Sequence, residues 1–312
     1  MNFLILFAAA LLLIASLTPY INVSRQETDL PSHFVLQYFI GALGLAAVAA
    51  IFDAPGFSFA LIFGALLANL MQLMPLFRFG RNDLHPDTGK TLKILQVNVL
   101  KLNGDASRLK TLIEKEQPDI VVGAEIRDAF VQMFRSLSFS YPHQMVEPRD
   151  KSSYGMAVLS KLPFTAYAQL SLDRPDNVAM AFTVRHEGRE IEFLSMHPAT
   201  PNRDIGSRDR EFENASQHFG NRRGNIVVLG DLNATPYCPA LKKLCRVLNL
   251  KNAREGHGVA GSFPVFFPFW WLHLPIDHVL VGENLHADGF RLGPDIGSDH
   301  FPTITTISHV NH

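Results

Sequence analysis

Residue types that carry hydrolytic chemistry recur in this sequence at the ends of apolar runs. The run 225–229 is followed by Gly230, and then by Asp231 and Asn233 at a spacing of two. Side chains in a strand alternate between its faces, so these two polar side chains leave the strand end on the same side. Gly-Asp-x-Asn is a weak signal alone, and a turn that caps the next helix is its alternative interpretation.

Two further apolar segments carry an acid directly before a histidine. Asp277 and His278 begin an apolar run that ends at Val281, and Asp299 and His300 follow a Gly-Ser pair near the end of the sequence. Asp, Asn and His gathered at strand ends are typical of hydrolytic sites built on a sheet scaffold. Three more predicted strands deliver a polar residue of this kind at or next to their ends: residues 92–98 deliver Asn98, residues 119–125 deliver Glu125 and residues 191–198 deliver His197.

In this order and at these spacings, the six segments resemble the endonuclease/exonuclease/phosphatase superfamily, in a membrane-anchored bacterial-type form. The resemblance extends over roughly residues 91–308. Strands that alternate with helices already indicate a layered α/β domain. The resemblance implies a four-layer α/β/β/α sandwich, with the site at one end of the paired sheets.

The pattern also predicts individual elements around those segments. We expect helices over residues 107–116, 204–219 and 239–250, the first with Leu109, Leu112 and Ile113 on one face. Residues 155–160 and 179–184 are expected to be strands of one sheet, and residues 279–281 and 303–307 further strands.

Hydrolysis of a phosphate ester requires a divalent cation, a group that activates water, and donors for the developing charge. We expect Mg²⁺, with Mn²⁺ as the alternative, because oxygen ligands such as carboxylates suit these ions. The expected metal ligands are Asn98, Glu125 and Asp299, and the expected catalytic residues are His197, Asp231, Asn233, Asp277, Asp299 and His300.

Each of these catalytic side chains has an expected role, and Asp299 would either affect the histidine at the site or contribute to the metal. Asp231 would orient or deprotonate the attacking water, and Asn233 would hold the phosphate or the nucleophile. His197 and His300 would donate hydrogen bonds to phosphate oxygens. Asp277 would fix the tautomer of a histidine.

Several other residues near these segments are open to two interpretations. Tyr154 is either a phosphate contact or a packing residue. Arg203 and Arg208 either meet an anionic substrate or are solvated. If Cys238 and Cys245 share one helix, they are about 10 Å apart and too far for a disulfide, whereas a bridge requires Cys238 in the preceding loop.

Residues 1–77 differ from the rest of the chain because they contain only four charged side chains. Three apolar stretches there are each about long enough to cross a hydrocarbon core of roughly 30 Å: residues 3–17, 34–52 and 56–77. We therefore expect three transmembrane helices in residues 1–77. A signal peptide followed by two helices is the alternative.

Residues 78–91 are polar and rich in turn formers, which predicts a linker before a catalytic domain at 92–312. We expect a multi-pass protein of the bacterial cytoplasmic membrane. Arg25 and the basic residues after the third stretch favour a cytoplasmic domain under the positive-inside rule, but Glu27 and Asp29 offset Arg25. The side of the catalytic domain therefore stays open.

The aromatic segment, residues 263–271, contains four Phe and two Trp residues. It either dips into a membrane interface, where Trp is favoured, or folds inward. Together with the tether, it favours a lipid phosphate ester or lipid-linked pyrophosphate as the substrate.

A membrane-anchored nuclease is the first alternative function. The acidic and basic side chains of residues 78–312 nearly balance, whereas a nuclease is expected to have a basic face. A catalytically silent membrane scaffold is the second alternative. It is disfavoured because every expected catalytic position is filled.

Overall fold

The computed structural model describes residues 1–21, 26–77, 90–150 and 152–310. The helices are α1 Asn2–Leu17, α2 Gln26–Ser32, α3 Val35–Ile51, α4 Gly56–Leu73, α5 Ser107–Glu116, α6 Asp128–Ser136, α7 Pro201–Phe219 and α8 Pro239–Leu248. The strands are β1 Leu92–Asn98, β2 Ile120–Ala124, β3 His143–Glu147, β4 Met156–Ser160, β5 Phe164–Ser171, β6 Val178–His186, β7 Arg189–Ser195, β8 Ile226–Asp231, β9 Lys251–Asn252, β10 Asp277–Val281, β11 Leu285–Leu292 and β12 Thr303–His309. The predicted linker lies outside the described residues, apart from its last two positions.

The strands form two six-stranded sheets. The first has the order β11-β12-β1-β2-β4-β3, and the second has the order β5-β6-β7-β8-β10-β9. β1 and β2 pair in parallel in the first sheet, as do β7 and β8 in the second. The other pairings are antiparallel.

The two sheets pack face to face and helices cover their outer faces, which confirms the predicted four-layer α/β/β/α sandwich. Val122, Phe182, Phe193 and Val279 belong to the apolar core between the sheets. Helices α5 and α6 pack on the first sheet, and Leu109, Leu112 and Ile113 form the buried face of α5 as predicted. Helices α7 and α8 cover the second sheet in the same way.

Most predicted elements exist, but one assignment is wrong. The strands predicted at 155–160 and 179–184 are β4 and β6, and they lie in different sheets. Both contribute side chains such as Val158 and Phe182 to the same central core, so they face each other across it. An apolar strand pattern indicates burial and does not identify the sheet to which the strand belongs.

Three apolar helices pack together in the N-terminal region. Two helical segments, Asn2–Tyr20 and Gly56–Leu76, are long and apolar enough to cross a membrane, whereas Val35–Ile51 is shorter. The predicted stretch 34–52 is shortened at its end by a turn in which Asp53 has a φ of 47°. Two helices therefore meet the length and composition of a membrane span, against the three in the prediction.

The ends of α1 and α4 dock directly on the sandwich. Lys242 of α8 donates hydrogen bonds to the carbonyl oxygen of Pro19 at 3.1 Å and to Oε1 of Gln72 at 2.7 Å. The backbone N–H of Gly258 donates to the carbonyl oxygen of Leu76 at 2.7 Å. These contacts hold the helical region against the face of the domain that carries α8.

Candidate active site

The eight predicted site residues lie together at one end of the sandwich, where strands of both sheets terminate. They occupy the ends of β1, β2, β7 and β8, the start of β10 and the loop before β12: Asn98, Glu125, His197, Asp231, Asn233, Asp277, Asp299 and His300. A hydrogen bond of 3.0 Å from Nδ2 of Asn98 to Oδ2 of Asp231 joins the two sheets at this point. The structure thus brings the whole predicted set into one cluster.

Gly230 shapes the strand end that delivers Asp231. Its φ is 138°, a region that side-chain-bearing residues rarely adopt, and an added Cβ would collide with the carbonyl oxygen of Met196. The missing side chain lets β8 approach the exit of β7 closely. Because His197 follows Met196, this approach makes His197 a neighbour of Asp231.

The carboxylate of Asp231 lies between two imidazole rings. Its Oδ2 atom is 3.4 Å from Nε2 of His197 and 3.6 Å from Nε2 of His300. Burial raises the pKa of Asp231, but the two histidines and Asn98 outweigh burial and hold this pKa well below its usual range. Asp231 is therefore an ionised acceptor at neutral pH.

His300 is oriented by a second buried acid. Its Nδ1 atom is 2.8 Å from Oδ2 of Asp277, which is fully buried. Burial lowers the pKa of His300, but Asp277 and Asp231 overcome this effect and raise it to about 10. The imidazole is therefore cationic at neutral pH and can donate a hydrogen bond from Nε2 to an anionic ligand.

Two polar residues that sequence reasoning missed complete this chain of contacts. Gln96 donates from Nε2 to Oδ1 of Asp277 at 2.8 Å, and Thr303 donates from Oγ1 to Oε1 of Gln96 at 2.8 Å. Gln96 precedes Asn98 by two residues and so points to the same face of β1. That spacing is the signal that could have found Gln96.

His197 lies between Asp231 and the loop that carries Tyr154. Its Nδ1 atom is 3.1 Å from the carbonyl oxygen of Ser153, which fixes Nδ1 as a donor. Burial lowers the pKa of His197, but the contact with Asp231 raises it, and the net pKa lies above its ordinary value. The Tyr154 ring is buried, with its centroid 5.9 Å from that of His197.

Glu125 is a half-buried residue held from two sides. Its Oε2 atom accepts a hydrogen bond of 2.7 Å from the backbone N–H of Lys101, and Oε1 accepts one of 3.2 Å from Nδ2 of Asn98. Oδ1 of Asn98 accepts from the backbone N–H of Leu100 at 2.9 Å. Asn98 therefore presents its amide nitrogen, and not its oxygen, to Glu125 and Asp231.

The acidic residues of the cluster have the chemistry of a divalent-cation site. Burial raises the pKa of Asp299, and the negative charge of Glu125 raises it further against the opposing effect of His300. A cation between two such carboxylates would relieve their repulsion, and oxygen donors are the ligands that Mg²⁺ prefers. Glu125 and Asp299 fit this role.

A second group of side chains could also offer ligand atoms. One atom each of Asp231, Asp277 and His300 lie within 4.8 Å of one another. In this group, however, Asp277 already contacts Nδ1 of His300 at 2.8 Å, which gives it an orienting role. The pair Glu125 and Asp299 is the better candidate for a cation.

A cavity of about 180 Å³ opens beside the cluster. Its lining consists of Glu125, Ser153, Tyr154, His197, Pro198, Thr200, Asn202 and Asn233. Asn233 has a φ of 49° and donates from Nδ2 to the carbonyl oxygen of Pro198 at 2.9 Å, while its backbone N–H donates to Oδ1 of Asp231 at 3.1 Å. Asn233 therefore makes the hydrogen bonds of a turn and also lines the cavity, so the two interpretations of this residue are compatible.

The structure bears differently on the arginines and cysteines for which the sequence allowed two interpretations. Arg208 is fully buried and pairs with Asp29, so neither proposed role, substrate contact or solvated surface, is correct. The side chain of Arg203 lies outside the described residues. Cys238 lies immediately before α8, yet it and Cys245 are both free thiols.

The model of the Endonuclease/Exonuclease/phosphatase family matches residues 95–300. No curated protein matches the sequence.

Solved structures share the fold at low sequence identity. TDP2 of D. rerio in complex with a single-strand DNA product is 16% identical, with a TM-score of 0.59 over 70% of this chain and 100% of that one. The human Nocturnin catalytic domain with bound sulfate is 18% identical, with a TM-score of 0.56 over 70% and 94%. A family protein from Leptotrichia buccalis is 17% identical, with a TM-score of 0.57 over 70% and 99%. The matched model extends over more than half of the chain, which therefore belongs to the endonuclease/exonuclease/phosphatase family.

Proposed function

We propose that this protein is a membrane-tethered, divalent-metal-dependent phosphoesterase that hydrolyses a phosphate ester or pyrophosphate of a membrane lipid. The observation that carries the hydrolytic part is the ionised Asp231 between His197 and His300, beside the cavity lined by Asn233. An acceptor for a water proton and donors for phosphate oxygens are thus adjacent, as phosphate-ester hydrolysis requires.

The protonation states favour one division of roles. Asp231 has a lowered pKa, so it serves as an acceptor that orients the attacking water. His300, cationic and held by Asp277, donates to a non-bridging phosphate oxygen, and His197 does the same from the other side. Asn233 lines the cavity and contacts the phosphate or the nucleophile there.

Glu125 and Asp299 would hold the cation, Mg²⁺ in the first place and Mn²⁺ as the alternative. When bound, such an ion neutralises charge on the phosphoryl oxygens. Asn98, predicted as a third ligand, donates to both Glu125 and Asp231, and we assign it to holding these two carboxylates in place.

The proposed membrane location rests on the way in which α1, α3 and α4 pack, with small side chains between the helices and large apolar side chains on the outside. Small side chains such as Ala9, Ala42 and Ala65 are buried between the helices, whereas large apolar ones such as Phe7 and Phe63 face outward. Small residues at the contact and large apolar residues outside are typical of helices packed in lipid. We assign the helices to the bacterial cytoplasmic membrane, and reporter fusions at both ends of the full chain would determine the side of the catalytic domain.

The proposed lipid substrate rests on the aromatic segment. Some of its side chains are exposed, as at a membrane interface, and others fold inward. Phe266 and Trp270 are 70% and 65% exposed, whereas Trp271 packs against the buried cluster that contains Val35 and Leu36 of α3. At its other end, Phe263 lies over His300 with 4.7 Å between ring centroids. The segment therefore connects the site to an apolar helix. Its exposed aromatic side chains would lie on the lipid surface beside the site.

The experiment is hydrolysis by the purified full chain in detergent, with and without Mg²⁺, against lipid phosphates, lipid pyrophosphates, phosphodiester lipids and DNA. Asp231→Ala and His300→Ala should each lose turnover, by about 10²-fold or more, because each removes a group next to the reacting phosphate. His286→Ala, on β11 outside the cluster, is the control variant. Loss of turnover in all three variants, or in none, would contradict the assignment.

Nuclease activity is the second candidate, favoured by the structural likeness to TDP2 bound to a single-strand DNA product. The DNA arm of the same experiment tests it with single-stranded and plasmid substrates. Cleavage of DNA without turnover of any lipid, lost in Asp231→Ala, would replace the lipid proposal. No turnover of any substrate would favour a catalytically silent scaffold.

A further inference from the structure

A buried ionic cluster joins the N-terminal helical region to the catalytic domain close to the site. Asp29 of α2 receives two hydrogen bonds from the guanidinium of Arg208, at 2.7 and 3.0 Å, and one from Sγ of Cys238 at 3.2 Å. Nε2 of His33 lies 3.1 Å from the same carboxylate. All four side chains are buried. Burial raises the pKa of Asp29, but His33 and Arg208 hold it well below its usual range, so Asp29 is ionised.

The contacts of His33 define its tautomer. The backbone N–H of Thr235 donates to Nδ1 of His33 at 3.2 Å, so Nδ1 must be an acceptor. The proton then sits on Nε2 and is donated to Asp29. A continuous chain therefore runs from Arg208 through Asp29 and His33 to a backbone N–H of the catalytic domain.

That N–H belongs to the loop that carries Asn233, which is residues 232–238. Asn233 adopts a left-handed backbone conformation with a φ of 49°, which side-chain-bearing residues adopt at a cost. Two histidines hold the residues that follow it. Nε2 of His278 lies 2.8 Å from the carbonyl oxygen of Ala234, and His33 accepts from Thr235. The first contact comes from His278 of the catalytic domain, and the second comes from His33, which directly follows α2.

We infer that His33 is a positioning residue that holds the Asn233 loop through the N–H of Thr235, so that a residue between the first two apolar helices helps to build the active site. The catalytic effect rests on the proposed function, whereas the restraint on the loop does not. Asp29 and Arg208 hold the imidazole of His33 in the orientation that the restraint needs. The catalytic domain of this chain is accordingly incomplete without its N-terminal region.

A cation is the other group that these side chains could serve, because Asp29, His33 and Cys238 offer one ligand atom each within 4.8 Å. Both carboxylate oxygens of Asp29, however, face the guanidinium of Arg208. The positive charge that a metal would bring is thus already present, and Nδ1 of His33 is committed to Thr235.

Two substitutions of His33 separate its two contacts. His33→Asn places a side-chain oxygen near the position of Nδ1 and retains an acceptor for Thr235, but does not reach Asp29. His33→Gln reaches Asp29 with its amide nitrogen and leaves the N–H of Thr235 without an acceptor. Both variants are made in the full chain, and both lose one buried hydrogen bond, so their stabilities should be similar.

The first measurement is hydrogen–deuterium exchange of the peptide that contains residues 232–238. We expect His33→Gln to accelerate exchange of the Thr235 amide by about tenfold, whereas His33→Asn should stay near the wild type. The second is turnover of the lipid phosphate that the wild type hydrolyses. We expect kcat to fall about tenfold in His33→Gln with KM changed less than twofold, because a misplaced Asn233 affects the reaction more than binding.

Equal exchange in the two variants would overturn the inference whatever the enzyme hydrolyses. The expected difference in exchange with equal kcat values would show a restraint without a catalytic effect and would overturn the positioning role. If the two variants differ in exchange as expected but the wild type hydrolyses none of the substrates, the restraint on the loop is supported. That result would count against the proposed function alone.

Discussion

At the scale of single residues, the site is governed by carboxylates whose surroundings differ. Asp231 and Asp277 each contact a histidine, whereas Asp299 lies 4.0 Å from Nε2 of His300 and also experiences the negative charge of Glu125. The same residue type therefore serves as an oriented acceptor at one position and as a candidate cation ligand at another. Sequence order alone could not assign these roles, because they depend on which side chains meet across the two sheets.

Asp277 provides a test of the orienting role. In Asp277→Asn, the contact with Nδ1 of His300 loses its negative charge, so the imidazole loses much of its positive charge and its fixed orientation. We expect kcat for the hydrolysed substrate to fall about 10²-fold with little change in KM. Asp288→Asn, on β11 outside the cluster, is the matched control. Wild-type turnover in Asp277→Asn would contradict the assignment.

Glu211 makes stability depend on pH. Burial raises its pKa to about 7, against the opposing hydrogen bonds from Asn177 and Ser207. The folded state thus binds a proton that the unfolded state has lost between about pH 4.5 and 7, so stability falls as pH rises through this interval. Glu211→Gln mimics the protonated acid. Between pH 4.5 and 8, we expect its free energy of unfolding to increase relative to that of the wild type by at most about 3 kcal/mol.

Thermal unfolding of both proteins in detergent across this pH range measures the effect of Glu211. The difference between their unfolding midpoints should widen in favour of Glu211→Gln as pH rises. A constant difference would mean that Glu211 titrates near its ordinary pKa in the folded protein.

At the scale of secondary-structure elements, the sequence predicted the strands that carry the site better than the strands that surround them. β1, β2, β7, β8 and β10 were recognised because each is an apolar run that ends or begins at a polar site residue. β5 was missed because its exposed side chains leave no apolar run. α2 was missed because most of its seven residues are polar and one is Pro31, although Asp29 among them supplies the contact with Arg208.

Gly230 tests how tightly the strand ends must approach. Gly230→Ala would place a Cβ against the carbonyl oxygen of Met196 at a φ that disfavours it, and we expect a loss of stability above about 2 kcal/mol. Gly289→Ala, on β11 with open space around the added Cβ, is the control and should change the unfolding midpoint little. Similar midpoints for the two variants would contradict the close approach of β8 to β7.

At the scale of the whole molecule, the helical region and the sandwich form a connected structure and not a tether attached to an independent enzyme. Lys242 contacts Pro19, just after α1, and Gln72 of α4. Gln37 of α3 donates from Nε2 to the carbonyl oxygen of Trp271 at 2.7 Å, and Arg208 pairs with Asp29 of α2. The sequence predicts two regions by charge and hydropathy. It could not show the contacts, because each joins residues far apart in the chain.

The proposed lipid substrate predicts that exposed aromatic residues near the site matter only for a substrate held in a bilayer. In the double variant Phe266→Ser and Trp270→Ser, the full chain should lose contact between the aromatic segment and lipid while the catalytic cluster stays intact. We expect KM for a lipid phosphate in vesicles to rise about tenfold, with kcat/KM for a short-chain, soluble phosphate ester unchanged. Phe139→Ser, which removes a 99% exposed Phe elsewhere on the domain, is the matched control and should leave both substrates unaffected. Equal losses on both substrates would place the aromatic segment in the catalytic structure itself, and no loss on either would remove the main support for a lipid substrate.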